Sequence, residues 1–193
     1  MHAKVRIDVF GLALAALALA AAGHAEEAAK PEPETFIANA MSLSGGAGPN
    51  TARLRMYVKG WTTDEERGNL LRVLAEQGSR KLAEALQDEK PLGTISFSNS
   101  LGYDLRYART MEYEGKRRIV LATDRPILGA EVMNNTRSLD NAVTLIFLEL
   151  DAEGNGAGKM LVGAELVLDA EKRDLNIETV LTNPIQLTKV RKD

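Results

Sequence analysis

The feature that most constrains the fold is a series of short apolar segments that fills the chain after Pro91. Seven segments of strand length, separated by short polar turns, lie at residues 92–97, 103–113, 117–123, 141–150, 159–168, 175–181 and 185–190. Sequential strands with short links predict an antiparallel meander. At this size such a meander closes as a barrel or folds as a sandwich, so the fold class is α+β and rich in β-structure.

Two segments alternate with a period of two residues. Residues 52–60 alternate between apolar and mostly basic side chains, which predicts a half-buried strand with one wet face. Residues 103–113 alternate in the same way, with Tyr103, Tyr107 and Tyr113 predicted on one face. A Glu-Gly turn then joins this strand to the next in the strongest hairpin of the sequence.

A single segment has the period of a helix. Thr63 and Glu66 fit a capping box, and a leucine face follows at Leu70, Leu71, Leu74, Leu82 and Leu86. Gly78 interrupts this segment, so about 63–88 is either one helix or a helical hairpin whose second piece Ser79 caps. We favour a break or kink at Gly78, with the helical element packed on one end or face of the sheet.

The first 25 residues have the pattern of a signal peptide. Lys4 and Arg6 precede an apolar run at 9–22, and Ala25 ends a small-residue cleavage site. Cleavage after Ala25 predicts a periplasmic or secreted bacterial protein, and without a following cysteine no lipid anchor or other stable membrane anchor remains. We expect a disordered leader at 26–35 and a single β-rich domain at 36–193.

Residue types that are absent exclude several mechanisms. Both histidines, His2 and His24, lie in the predicted signal peptide, and the chain contains no cysteine. A Ser-His-Asp triad, a cysteine nucleophile, a His/Cys zinc site and covalent haem attachment are therefore excluded, and we expect no metal or cofactor. Neither charge sign forms a block, which argues against nucleic acid or an anionic membrane as a partner.

Two glycine-rich stretches resemble ligand loops only in part. The segment "DAEGNGAGK" (151–159) starts like a calcium loop, but Val162 stands where the bidentate glutamate should be. It also lacks the first glycine and the hydroxyl residue of a Walker loop. We interpret it as a turn between strands, and "SLSGGAGPN" (42–50) as a strand connection.

The best candidates for ligand binding are charged residues between apolar segments. Asp124 and Arg125 lie in "LATDRPIL", where Arg125 either binds an anion, with Arg137 and Asp140 of "NNTRSLD" nearby, or forms an ion pair with Asp124 at the rim.

The aromatic residues Trp61, Tyr103 and Tyr107 form a second candidate set. They either line a ligand cavity or are half-buried packing beneath the helix.

Four stretches, "WTTDEERGNLLRVL", "GTISFSNSLGYDLRYA", "RRIVLATDRPI" and "NPIQLTKV", resemble a family of uncharacterised exported bacterial proteins. The resemblance spans most of the chain after residue 25. It implies export and a shared fold, and it carries no established activity.

Two functions compete. The first is a non-enzymatic binding or envelope-interaction module that takes a small molecule or an envelope protein. The alternative is a hydrolase for envelope glycans that works through two carboxylates, drawn from Asp104, Asp124, Glu149 and Glu165. Glu149 follows apolar residues on one strand face, so either an apolar setting raises its pKa or it lies at the rim.

Overall fold

An eight-stranded antiparallel barrel is the central feature of the fold. The computed structural model describes residues 32–42, 50–97, 102–127, 143–169, 174–179 and 184–193. Their elements, in chain order, are β1 (Glu34–Ser42), β2 (Asn50–Val58), α1 (Asp64–Asp88), β3 (Gly93–Phe97), β4 (Tyr103–Tyr113), β5 (Lys116–Thr123), β6 (Val143–Leu150), β7 (Asn155–Asp169), β8 (Asp174–Thr179) and β9 (Ile185–Lys192). The barrel closes in the order β1 to β7 and then β9, which pairs with β1. The predicted β-rich meander is confirmed, and it closes as a barrel. The predicted signal peptide at 1–25 lies outside the described residues, and β1 begins at Glu34, inside the predicted leader.

The long strand β7 closes the barrel. One edge of β7 pairs with β6, while its other edge pairs with β9 at 155–160 and with β8 at 164–169. Residues 151–154 form the predicted hairpin turn, in which the Asp151 N–H donates to the Asn155 carbonyl at 2.8 Å, whereas 155–159, predicted as part of the turn, are already strand β7. A Cβ on Gly156 would come within 1.9 Å of a β6 carbonyl, so this glycine permits the close approach of two strands.

The barrel interior is filled by side chains. Inward-facing residues from all eight strands form one cluster in which the largest members are fully buried: Phe36, Leu54, Met56, Ile95, Leu105, Ile119, Leu121, Ile146, Leu150, Met160 and Leu187. Burying each such side chain contributes about 1.5–3 kcal/mol. The barrel is therefore a packed core, and a ligand site has to be sought at its surface.

A second apolar cluster lies outside the barrel, beneath α1. Its helical members are Leu70, Leu74, Leu82, Ala83 and Leu86, and they pack against Leu145, Leu161, Ala164, Leu166 and Ile177 of the wall. Strand β6 is buried on both faces, because Leu145 faces α1 while Ile146 faces the interior. This double burial explains why β6 is an uninterrupted apolar run in the sequence.

A β-bulge at Arg106 reverses the alternation of β4. Leu105 pairs with Thr123 and Tyr107 pairs with Ala122, so Arg106 is the extra residue. The expectation that Tyr103 and Tyr107 share one face is wrong for this reason. Tyr103 packs on the interior cluster, whereas Tyr107 packs on the cluster beneath α1.

Helix α1 turns sharply at Gly78, as expected. A straight helix of 25 residues would be about 37 Å long. However, Thr62, before α1, donates to the Ala108 carbonyl at 2.8 Å, and Arg106 donates to the carbonyl of Glu89, which follows α1. Because Arg106 and Ala108 lie about 7 Å apart along β4, the two ends of α1 reach the same stretch of strand only through a reversal at Gly78.

Gly78 and Ser79 hold this reversal in place. Gly78 has φ 81° and ψ −179°, a conformation that is essentially restricted to glycine. The Ser79 hydroxyl accepts a hydrogen bond from the Leu166 N–H of β7 at 3.0 Å, so the kink is tied to the barrel wall.

We expect Gly78→Ala to lower the free energy of unfolding by about 1–3 kcal/mol, through backbone strain alone, because the added methyl would meet no atom within 4 Å. Gly68→Ala is the matched control. It lies in a regular helical turn of the same element, and we expect it to raise stability by up to about 1 kcal/mol. Urea unfolding followed by circular dichroism measures both. A Gly78→Ala protein as stable as the wild type would show that the kink does not depend on glycine.

Candidate functional site

Arg106, the bulge residue of β4, is the centre of a charged cluster at the barrel rim. Its Nη2 lies 3.0 Å from Asp104 Oδ2, and its Nε lies 3.5 Å from Asp124 Oδ2. Its Nη1 donates to the Glu89 carbonyl at the end of α1. The side chain is 14% exposed, and its buried Nε has no hydrogen-bond acceptor among the described residues, since the Asp124 contact lacks hydrogen-bond geometry.

Asp124 and Arg125 form an ion pair at the turn after β5. The Arg125 Nε lies 3.1 Å from Asp124 Oδ1, and the hydrogen bond from this pair raises the pKa of the Arg125 guanidinium. Asp124 is buried at 2% exposure, whereas Arg125 is 62% exposed. The rim ion pair that the sequence offered as one interpretation is therefore present. Arg137 and Asp140, the expected companions of Arg125, lie outside the described residues.

Two buried threonines position this turn. The Thr123 hydroxyl donates to the Arg125 carbonyl and accepts from the Thr144 N–H, and the Thr144 hydroxyl accepts from the Ile127 N–H at 2.8 Å. These bonds replace the ladder bonds that end where Pro126 follows, because proline has no N–H to donate.

A cleft with a volume of about 320 Å³ lies between the two ends of α1 and the bulge of β4. We call it the helix–β4 cleft, and its lining residues are Thr62, Glu66, Leu70, Asp88, Glu89, Lys90, Leu92 and Arg106. Leu70 and Thr62 are buried, whereas Asp88 and Lys90 are exposed. The cleft thus combines an apolar part with carboxylates and two cationic groups.

The aromatic candidates do not line this cleft. Trp61 is partly buried on the interior cluster, and the Arg117 guanidinium lies 5.3 Å from its ring centroid. Tyr103 packs at the rim of the interior, and burial raises the pKa of Tyr107 beneath α1. Trp61 and Tyr103 thus share the interior cluster, and the interpretation as half-buried packing beneath the helix describes Tyr107 alone.

The carboxylates of the hydrolase hypothesis are also dispersed. Asp104 and Asp124 both contact Arg106, which occupies the space between them. Glu165 is exposed on β7. The idea that an apolar setting raises the pKa of Glu149 is wrong. Its hydrogen bond from Lys116 and, to a smaller extent, that from Arg118 lower the pKa of Glu149.

None of the described residues that were proposed from the sequence as a ligand site lines the helix–β4 cleft. Glu66 was identified only as a capping residue, and its carboxylate does accept from the Thr63 N–H at 2.7 Å. One sequence signal could have marked Asp88 and Glu89 as candidates for the site. Acidic residues at a helix C-terminus oppose the helix dipole, and the last turn of α1 has no basic residue to offset them.

The described residues hold no group of three or more side chains suited to a metal ion. Within the same ranges, no helix combines the length and the apolar character that a membrane crossing requires. No protein-family model, curated protein or solved structure matches this chain.

We expect Arg106→Gln to cost about 2–4 kcal/mol of unfolding free energy, because it leaves the buried Asp124 with one cation and removes the bond to Glu89. Arg125→Gln should cost less than about 1 kcal/mol, since that guanidinium is largely in solvent. Chemical denaturation of the two variants tests this contrast. Equal losses would mean that Arg106 does not organise the cluster.

We expect Glu149→Gln to destabilise the protein at neutral pH by less than about 1 kcal/mol. Because Lys116 and Arg118 hold the folded-state pKa below the ordinary 4.5, the ionised carboxylate contributes its stability above that pH. This contribution is lost as the pH falls through the lowered pKa. Thermal unfolding of wild type and variant should therefore converge below about pH 4.5, with Glu165→Gln as the control. A difference that is unchanged at low pH would contradict the ion pairs.

Proposed function

We propose that this protein is an exported, non-enzymatic binding module, and that its ligand is a small organic molecule held in the helix–β4 cleft. The observation that carries the proposal is the cleft itself, which joins both ends of α1 to the bulge of β4. Its volume of about 320 Å³ lies at the lower end of the range of ligand pockets, which are about 300–1,000 Å³.

The chemistry of the cleft supports a ligand with an apolar part and a polar group. Leu70 and Leu92 offer apolar contact, while the Arg106 guanidinium and Lys90 bring positive charge to the lining. A guanidinium binds oxyanions with parallel hydrogen bonds, so Arg106 would hold the polar group of the ligand.

The packed interior supports the choice of the cleft as the site. Many barrels bind ligands inside, but here the inward-facing side chains meet at the barrel axis, and the large ones are fully buried. Export rests on the signal-like residues 1–25 and on the resemblance of the four quoted stretches to exported proteins.

The carboxylate hydrolase has less support. Two catalytic carboxyl groups must face each other across a substrate bond. Between Asp104 and Asp124 that space holds the Arg106 guanidinium, and Glu149 is the counter-ion of Lys116 and Arg118.

The test is to express the whole chain in a Gram-negative host, purify it from the periplasm and identify bound compounds by mass spectrometry. The intact mass also reports whether the protein begins at Glu26. Lys90→Trp should fill the mouth of the cleft and reduce the bound compound at least tenfold without unfolding the protein, since Lys90 is exposed. Thr94→Trp, on an exposed position of β3 that does not line the cleft, is the control and should retain it.

Two outcomes would contradict the proposal. One is a compound that stays bound to Lys90→Trp as tightly as to the wild type. The other is that no compound is found bound to both the wild type and Thr94→Trp while being absent from Lys90→Trp. A protein that keeps residues 1–25 and stays in the cytoplasm would contradict export alone.

A further inference from the structure

One side of the barrel carries a set of exposed basic residues that the helix–β4 cleft does not use. They project from β2, β9 and the first half of β7, and we call them the cationic wall: Arg53, Arg55, Lys159, Lys189 and Arg191. Strand β1 lies between β2 and β9. Most of the wall faces away from α1, which covers the barrel from β4 to β8, but Lys159 borders this cover because Leu161, two residues along the same outer face of β7, packs beneath α1.

The strand register sets the spacing of these cations. Ile37 of β1 pairs with Arg55 on one side and with Arg191 on the other. Adjacent strands lie about 4.8 Å apart, so these two arginines are about 10 Å apart across the wall. Arg53 and Arg55 are two residues apart and therefore about 7 Å apart along β2. Lys159 pairs with Gln186 while Arg191 pairs with Asn155, so Lys159 extends the set of cations farther along the strands.

Few described acidic side chains lie on this side of the barrel, although Asp151 and Glu153 are exposed in the turn that leads to Asn155, the partner of Arg191. Glu34 is the single acidic side chain described on β1, β2, β9 and the first half of β7. Its carboxylate binds Arg117 at the barrel rim at 2.8 Å. Asp193, which follows β9, lies 3.9 Å from Arg191. The chain as a whole has a formal net charge of −3. Its charge is therefore distributed unevenly, with a local positive field on this wall.

We propose that the cationic wall binds a linear anionic glycan, a flexible polysaccharide that carries carboxylate or other anionic groups along its length. Guanidinium groups recognise such oxyanions with two parallel hydrogen bonds, and lysines add point charges. This site is separate from the helix–β4 cleft, and the proposal does not rest on the function proposed there.

The curvature of the barrel favours a flexible polymer over a membrane. In an eight-stranded barrel each strand turns the wall by about 45°. From β2 to β7 the wall passes through three such steps, about 135° in all, so a planar lipid surface cannot touch all five residues at once. A flexible chain can follow the curve.

The side chains between the cations favour a glycan over a nucleic acid. Single-stranded nucleic acids are bound by rows of aromatic side chains on which bases stack. On the described outward positions of these strands, Tyr57 is the aromatic residue, and the positions beside the cations on β1 are Ile37 and Asn39. The wall thus offers charge without a stacking surface.

The test uses the whole protein as isolated from the expressing cell, with polygalacturonate as the probe and neutral dextran as the reference polymer. We expect wild type to bind polygalacturonate at low salt, to lose binding as salt rises, and not to bind dextran. Arg55→Gln/Lys159→Gln should weaken binding roughly tenfold, because two exposed ionic contacts are lost.

Arg72→Gln/Arg80→Gln is the matched control, since it also removes two positive charges, here from exposed positions of α1. We expect it to bind within about twofold of wild type, because the charges it removes lie outside the wall. The proposal is overturned if both double variants weaken binding equally, if wild type binds dextran as well, or if it binds phosphatidylglycerol vesicles or single-stranded DNA but not the glycan. Absence of binding at low salt also overturns it.

Discussion

Closure of the barrel by β7 is the constraint on which the rest of the structure depends. This strand pairs with β6 along one edge and with β9 and then β8 along the other, so its second half needs cover on its outer face as well. Helix α1 provides that cover with its leucines. The kink at Gly78 lets the parts of the helix before and after it both pack on the outer face of the barrel. Without this helix, Leu145, Leu161 and Leu166 would expose a large apolar surface to water.

The bulge at Arg106 links this packing to the candidate site. In a regular β4, residue 106 would pair with a residue of β5, and its side chain would point to the face opposite those of residues 105 and 107. The extra residue frees the guanidinium to contact the end of α1, Asp104 and Asp124 together. The helix–β4 cleft therefore exists because a local irregularity of one strand coincides with the point where both ends of α1 return to the barrel.

Much of this fold was predictable because each element has a local signal. The strands have period two, Thr63 and Glu66 form the capping box that their spacing predicts, and Gly78 marks the kink. The sequence does not predict strand β1, because Ile37 and Met41 are apolar on the face opposite the buried Phe36, Ala38 and Ala40 and so obscure the alternation. The bulge at Arg106 was not predictable, because β4 looks regular in the sequence and the extra residue becomes visible only against the partner β5. The choice between barrel and sandwich was open for the same reason, since closure is a pairing of distant strands.

The site was harder to predict than the fold because its residues come from places that are far apart in the sequence. Asp124 and Arg125 are recognisable as charges between apolar runs, but nothing in the alternation of residues 103–113 marks their third partner, Arg106. The two ends of α1 became neighbours only through the kink, so Glu66, Asp88 and Glu89 had no common sequence signal. The same reasoning applies to the cationic wall. Arg53 and Arg55 were visible as the wet face of one strand, whereas Arg191 joins them through the pairing of β1 with β9, which a search for charge blocks along the chain cannot detect. A balanced overall charge therefore does not show that positive and negative side chains are evenly mixed on the folded surface.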